Sequence, residues 1–467
     1  MNKKFVLFII LGLLSVWMPG NLLAQEVQQS DTTAQINLKK AKKGWTFGAL
    51  PSVAYDVDLG FQYGALANVY YYGDGSTYPE YMHSFYVEAA YTTKNYGIFR
   101  FFYDSKFLIP NHRFTFDASY LPDAMCDFSG FNGYTSVFNN DWRKNNNDNY
   151  VSRAFYKYRR DLFRTAADIE GTIAGKWKWN AGLGVLGYMI GSVDIDMLNK
   201  GKKDEKKLPD VQGLYERYVD WGLIKKNEKN GGWHPYLRGG ITYDSRDFRA
   251  NPTKGIYADA FLTYSSAFGE QAEYNNLKLN VNFRHYVSLY RDYAVLAYRI
   301  GAQSLLAGHS PFYMNTYHNT LFLQRVLYEA LGGGNSLRGI VRNRVLANGF
   351  AYANVEFRFK LAKFDIAKQH FYIGINPFLD AGMVTQPYEL DEETIRATVA
   401  QKNPDDNIDD FFNFDKSLVY MPHVSAGMGL KIAMNENFIL SVDWAAPLNK
   451  QDATGYANFY IKMGYLF

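Results

Sequence analysis

The sequence predicts an all-β fold, a sixteen-stranded antiparallel transmembrane β-barrel, on three observations. Segments alternate strictly: in 354–361, Val355, Phe357, Phe359 and Leu361 share one face, and Asn354, Glu356, Arg358 and Lys360 the other. A period of two means extended strand, and one apolar and one charged face suit a barrel with lipid outside and a wet lumen. Aromatics reach 17%, with 38 Tyr and 34 Phe, while mean hydropathy is −0.29. After the first residues, no stretch approaches the roughly eighteen consecutive apolar residues of a spanning helix. A chain that crosses lipid without helices must close its strands, because lipid satisfies no backbone hydrogen bond. The other reading is a secreted, soluble all-β protein; the many long alternating segments weigh against it.

At the start of the chain, Lys3 and Lys4 precede the apolar run Phe5–Trp17, and Leu22, Leu23 and Ala24 lead into Gln25. This reads as a secretory signal peptide over 1–24. No cysteine follows it, so no lipoprotein anchor is expected, and Cys126, the only cysteine, excludes an internal disulfide. Residues 25–45 read as a short polar periplasmic tail with a KKAKK cluster, and 46–467 as the outer-membrane barrel. The tail either meets lipid headgroups or a partner protein, or is simply disordered. The formal charge of +4 includes the leader lysines and implies no nucleic-acid partner.

Candidate strands span 46–56, 59–72, 80–94, 96–105, 110–120, 162–176, 179–193, 233–244, 254–266, 271–287, 292–305, 346–361, 369–383, 417–433, 436–445 and 455–467. Every even-to-odd link is short, the longest being the SRDFRANPTKG turn before the ninth strand. The long links, 121–161, 195–232, 306–345 and 384–416, all fall odd-to-even. Short turns in the periplasm and long loops outside are the outer-membrane pattern. In the last strand Phe459, Ile461, Met463, Tyr465 and Phe467 share a face. Such a strand resembles the terminal signal that outer-membrane barrels show to their assembly machinery; a girdle of interfacial aromatics is the plainer reading, and both can hold.

The candidate site starts from GGGNSLRG, 332–339, a glycine-rich loop carrying Arg338. Glu356 lies on the charged face of its strand, and Asp380 lies opposite Leu379 and Ala381. An arginine in a lumen is costly unless paired, and a guanidinium fork suits carboxylates. From residues alone, a solvated arginine on an outer loop is the favoured reading.

At these residues the chain resembles the BamA/TamA superfamily, also called the bacterial surface-antigen family. The resemblance covers about 233–467. Arg338 and Gly339 match the family's arginine-glycine loop motif, Glu356 its twelfth-strand carboxylate, and Phe378, Asp380 and Gly382 its F-x-D-x-G motif on the thirteenth strand. Asp244, Arg246, Asp247, Pro252 and Gly255 match a periplasmic-turn motif, and SVDWAAPL the penultimate-strand pattern. Ile340 departs from the usual aromatic after the glycine. The resemblance implies an inward latch of Arg338 on Asp380 and Glu356, and a lateral gate at the seam of first and last strands. Pro51 and Gly464 flank that seam; Pro51 weakens pairing there or simply points its missing donor at solvent near the rim. The family's POTRA domains are expected to be absent, since only the tail separates leader and barrel.

No G-x-S-x-G, H-E-x-x-H, C-x-x-C or phosphate loop occurs, so no enzyme activity, cofactor or metal is expected. Asp405, Asp406, Asp409 and Asp410 could ligate calcium, or be a solvated acidic loop. The resemblance implies assembly, insertion or translocation of proteins at the outer membrane. The expected partners are outer-membrane lipid, other assembly subunits or client proteins. The alternatives are a passive pore, a small-molecule or lipid conduit, or a surface structural or ligand-binding barrel.

Overall fold

The computed structural model describes residues 42–467 except 270–271, 317–329, 367–368, 436–437 and 453–457. The leader at 1–24 and most of the tail lie outside the described residues. The strands are β1 (Trp45–Pro51), β2 (Ala54–Asp56), β3 (Gly60–Tyr71), β4 (His83–Thr92), β5 (Gly97–Ile109), β6 (His112–Asp127), β7 (Lys157–Ala174), β8 (Trp177–Gly191) and β9 (Gly231–Asp244). They continue as β10 (Gly255–Ser265), β11 (Asn276–Tyr290), β12 (Ala294–Gly308), β13 (Gly349–Ile366), β14 (Gln369–Gln386), β15 (His423–Met434), β16 (Phe438–Pro447) and β17 (Asn458–Met463).

These segments form one closed sheet. β1 and β2 are two halves of one broken strand, since both pair with β3, Pro51 opposite Ala65 and Ala54 opposite Gln62. Every other segment pairs antiparallel with its successor, and β17 closes onto β2. The result is a sixteen-stranded antiparallel barrel.

Alternation decides which face meets lipid. On β13, Asn354, Glu356 and Arg358 are buried while Phe357 is exposed, and on β14 Asp380 is buried while Leu379 is exposed. Near the short-turn rim, aromatics ladder across strands: Trp45 and Tyr71 lie 4.8 Å apart, Phe85 and Tyr103 5.0 Å, Tyr103 and Phe114 6.2 Å. Such a girdle suits the membrane–water boundary. Inside, Arg164 binds Asp117, Arg113 binds Asp104 and Arg238 binds Asp168, each at 2.6 Å, so much of the lumen charge is paired.

The boundaries depart from expectation where local chemistry overrides periodicity. The sixth strand begins at Lys157, five residues earlier than 162. The fourteenth begins at His423, not 417, because Lys416–Leu418 is a 3-10 turn whose Asp415 side chain accepts from Ser417 N. The last strand ends at Met463, and 455–457 lie outside the described residues.

All long connections share one rim. Residues of 128–156, 192–230, 309–348 and 387–422 pack there into one buried cluster that includes Phe128, Phe131, Tyr218, Trp221, Phe312 and Phe412. Asn132 and Tyr388 exchange two hydrogen bonds of 2.8 Å across it. The cap therefore covers the mouth of the barrel. At the other rim, the turn 245–254 is tied by Asp247, which accepts from Phe248 N and Thr253 N at 2.9 Å. If the capped rim is extracellular, protease added to intact cells cuts first in the exposed 199–207 stretch and spares 245–254. Cleavage in 245–254 from outside would overturn that orientation.

Candidate functional site: an arginine latch in the lumen

The tip of the 309–348 connection folds back on itself. Val345 N donates to Leu331 O at 3.0 Å and Gly333 N to Ile340 O at 2.9 Å. Leu331, Leu337, Ile340, Val345, Phe350 and Val384 form a small buried core beneath it. Ile340, the departure from the family pattern, is thus fully buried apolar packing rather than a gap. Gly339 has φ +91°, and a Cβ there would sit 3.0 Å from the Ala445 carbonyl carbon and the Ala446 nitrogen. The loop approaches β16 so closely that a side chain at 339 would crowd its backbone, in a backbone conformation that favours glycine.

This approach delivers Arg338 into a fully buried setting. Its Nε and Nη2 donate to the two oxygens of Asp380 at 2.8 and 2.9 Å, and its own backbone N donates to Asp380 Oδ2 at 3.1 Å. Nη1 donates to Glu356 Oε1 at 2.7 Å. The guanidinium lies 3.4 Å over the Phe378 ring, and Gly382 leaves room for Leu331 and Leu337. All six latch residues, Arg338, Gly339, Glu356, Phe378, Asp380 and Gly382, therefore meet at one place. Burial alone disfavours the charged Arg338, but Asp380 and Glu356 outweigh it and raise the group above its already high ordinary value.

Sequence reasoning missed a third carboxylate. Asp443 on β16 lies 3.5 Å from Arg338 Nη1 and is also paired with Lys431 and, at 3.9 Å, Lys462. Its inward parity with Ser441 and Ala445 was the available signal. Also missed were Arg342 and Arg344, which follow Arg338 in the same loop. Arg342 pairs with Asp123 and, at 3.2 Å, with Asp127. Arg344 donates to Gly133 O at 2.8 Å and Ser136 O at 2.9 Å, and meets Asp452 at 3.2 Å. Asp452 also accepts from Tyr134 at 2.6 Å and lies 2.8 Å from His423 Nδ1. One loop thus anchors the cap to the wall at three arginines.

The seam is thinly paired. β17 meets β2 only through Tyr460 opposite Asp56 and Ile461 opposite Tyr55, whereas its other edge pairs with β16 from Leu440–Met463 to Ala445–Asn458. Among the described residues, β1 has no strand partner on the edge away from β3. Pro51 ends β1 with its ring exposed, and Ser52 N resumes pairing by donating to Gly64 O at 2.9 Å. The loop tip grips β17 instead: Gly339 N donates to Tyr460 Oη at 3.0 Å, Asn458 to Gly339 O at 2.9 Å, and Lys462 to Gly334 O at 2.6 Å.

The terminal aromatics need correction. Phe459 and Met463 keep the outward face, but Gly464, at φ +83°, turns the chain. Only glycine adopts that backbone cheaply. Tyr465 then packs against Tyr372, Ala433 and Ile439 with Arg358 4.0 Å over its ring. Phe467 is buried with Tyr286, Val295 and Ala297. These two rings line the lumen rather than a lipid girdle, because the strand stops before them. The acidic run is also paired: Asp406 with Arg217 and Asp409 with Arg396. Among the described residues, no group of three or more His, Cys, Asp or Glu side chains is placed to hold a metal.

Two outcomes follow. Arg338→Ala strands buried carboxylates and lowers unfolding stability by about 3–5 kcal/mol, measured by urea denaturation of the folded barrel; adding Glu356→Gln and Asp380→Asn recovers part of the loss. The second concerns Asp452. Burial pushes its carboxyl up, but His423, Arg344 and Tyr134 together hold it below its ordinary value of 3.8. Its contribution is therefore present above that pH and lost as pH falls through the folded value. Proteolysis of the cap rises in that acid window, and Asp452→Asn shows the raised susceptibility already at neutral pH.

The Omp85 superfamily domain matches residues 20–467. The structure is similar to BamA from Haemophilus ducreyi lacking POTRA domains 1-3, with 14% identity and a TM-score of 0.51 over 90% of this chain and 70% of that one. It is also similar to CdiB from Escherichia coli, with 11% identity and a TM-score of 0.50 over 91% of this chain and 63% of that one. This chain thus spans less than two-thirds of the CdiB chain, and at these identities the likeness is one of fold. No curated protein matches the chain. On the superfamily match, which runs through every strand of the barrel and the latch, the chain belongs to the Omp85 superfamily of outer-membrane β-barrels.

Proposed function

We propose that this barrel assembles, inserts or translocates proteins at the outer membrane, reached after removal of the 1–24 leader, and that it works by opening the seam between β17 and β2. The observation that carries this reading is the pairing at the seam. Two residue pairs hold β17 to β2, while the loop tip contributes three further hydrogen bonds to β17. A seam held by a loop rather than by a full ladder can part without breaking the rest of the sheet. Family membership supports the same reading.

The packed cap and the latch argue against a freely conducting pore. In this mechanism Arg338 keeps the loop seated, Tyr460 and Asn458 transmit that seating to β17, and a client strand or segment meets the edge left open along β1. Tyr465 and Phe467, turned inward, are part of the lumen wall below the latch.

Two measurements test it. Depletion of the protein, followed by quantitation of the outer-membrane proteome, is expected to lower several other barrels together. A disulfide joining the facing positions, Tyr55→Cys with Ile461→Cys, is expected to abolish function under oxidising conditions and release it with reductant; Cys126 is buried and does not interfere. Unchanged function with the seam locked removes seam opening from the mechanism.

A further inference from the structure

Beside the latch, one wall of the lumen carries charge that its neighbours leave unbalanced. Arg284 on β11 and Arg299 on β12 stand directly opposite each other in the ladder. Both are 4% exposed. Among the described residues, neither has a carboxylate within ion-pair distance. Arg284 Nε and Arg299 Nη2 find no hydrogen-bond partner. Arg299 Nε donates to the neutral Asn354 at 2.9 Å. Like charges placed directly across a strand pair repel, and a buried cation without a counter-charge is costly. Elsewhere in the lumen, Arg113, Arg164 and Arg238 each hold an aspartate.

The surroundings are built for an anion. Arg284 lies 5.3 Å over the Tyr257 ring, which Arg246 approaches to 4.6 Å. Arg299 lies 5.0 Å over Tyr352 and 5.2 Å over Phe467, and Arg358 lies 5.1 Å over the same Phe467 ring. Arg246 is neutralised by Asp244 at 2.9 Å and Arg358 by Glu356 at 2.9 Å, yet Arg358 Nη1 is also unpartnered. The facing carboxylate is Asp259, whose Oδ1 accepts from Asn282 at 2.8 Å and whose Oδ2 is unpartnered. Unmet donors thus outnumber unmet acceptors on this wall. Two guanidinium forks offer more N–H groups than the two oxygens of a carboxylate can take, and they suit a tetrahedral oxyanion.

We infer that Arg284 and Arg299 form a phosphate-binding site on the lumen wall, taking either free phosphate or the phosphate of an anionic lipid headgroup. The site borders the latch, through Arg358 on Glu356 and Asn354 on Ser336 O, but does not depend on the assembly reading. The aromatic rings around it fix the guanidinium planes, so less side-chain freedom is lost when the anion binds.

The test uses the full-length protein in a maltoside detergent. Thermal unfolding is followed while inorganic phosphate is added against chloride at matched ionic strength. A second arm adds phosphatidylglycerol or diacylglycerol to the micelles. Stabilisation by inorganic phosphate identifies the free anion as sufficient; stabilisation by phosphatidylglycerol alone identifies the lipid. In either case Arg284→Gln and Arg299→Gln weaken the response about ten- to a hundredfold, and Asp259→Asn strengthens it. Heat-modifiable gel mobility reports whether each variant is folded. Arg284→Lys and Arg299→Lys, which keep the charge but lose the fork, replace any glutamine variant that is not folded and are expected to bind less tightly. No stabilisation of the unaltered protein in either arm overturns the proposal, as does a response unchanged in the folded variants.

Discussion

The structure depends on one buried charge. Arg338 has no exposed surface and spends its donors on Asp380, Glu356 and, more distantly, Asp443. These carboxylates come from β14, β13 and β16, so a single side chain from a loop ties three strands together from within. Removing a guanidinium from such a place costs more than its bonds are worth, because the acids left behind have no water to turn to. That asymmetry makes the loop position nearly all-or-none, which is the property a latch needs.

The loop passes this constraint outward to the cap and to the seam. Arg342 and Arg344 secure the cap through Asp123, Asp127 and Asp452, and Gly339 and Gly334 hold β17 through Tyr460, Asn458 and Lys462. The seam is the place where the ladder contributes least. Its few pairs sit at the capped end, and toward the other rim the chain leaves the wall at Gly464. The closure of the barrel therefore rests on side chains and loop backbone as much as on strand pairing, and it should respond to changes at Arg338 that touch neither seam strand.

Much of this was legible in the sequence, for a physical reason. Strict alternation fixes parity, and parity puts Glu356 and Asp380 inside; that Arg338 reaches them was implied by the family resemblance, since a loop residue has no parity. The length asymmetry of the connections likewise separated the two rims. What periodicity could not show were events at ends and across long separations. The break between Pro51 and Ala54 leaves parity almost untouched. Gly464 turns the chain at a position where the alternation of Tyr465 and Phe467 still reads as strand, so their faces were misassigned. Parity placed Asp443 inside but not its partner, and Asp452 joined the network through contacts with a distant loop that no local pattern encodes. The cap is built from scattered aromatics in polar loops, and only their packing reveals it.

The central claim is that the buried arginine holds the seam shut through the loop. Amide hydrogen exchange on the folded barrel, comparing the unaltered protein with Arg338→Ala, tests it most directly. The account predicts faster exchange concentrated in 331–345, in β17 and in Ala54–Asp56, with β5–β9 unchanged. Exchange that rises equally around the barrel, or that stays unchanged in β17 while the loop loosens, would contradict it.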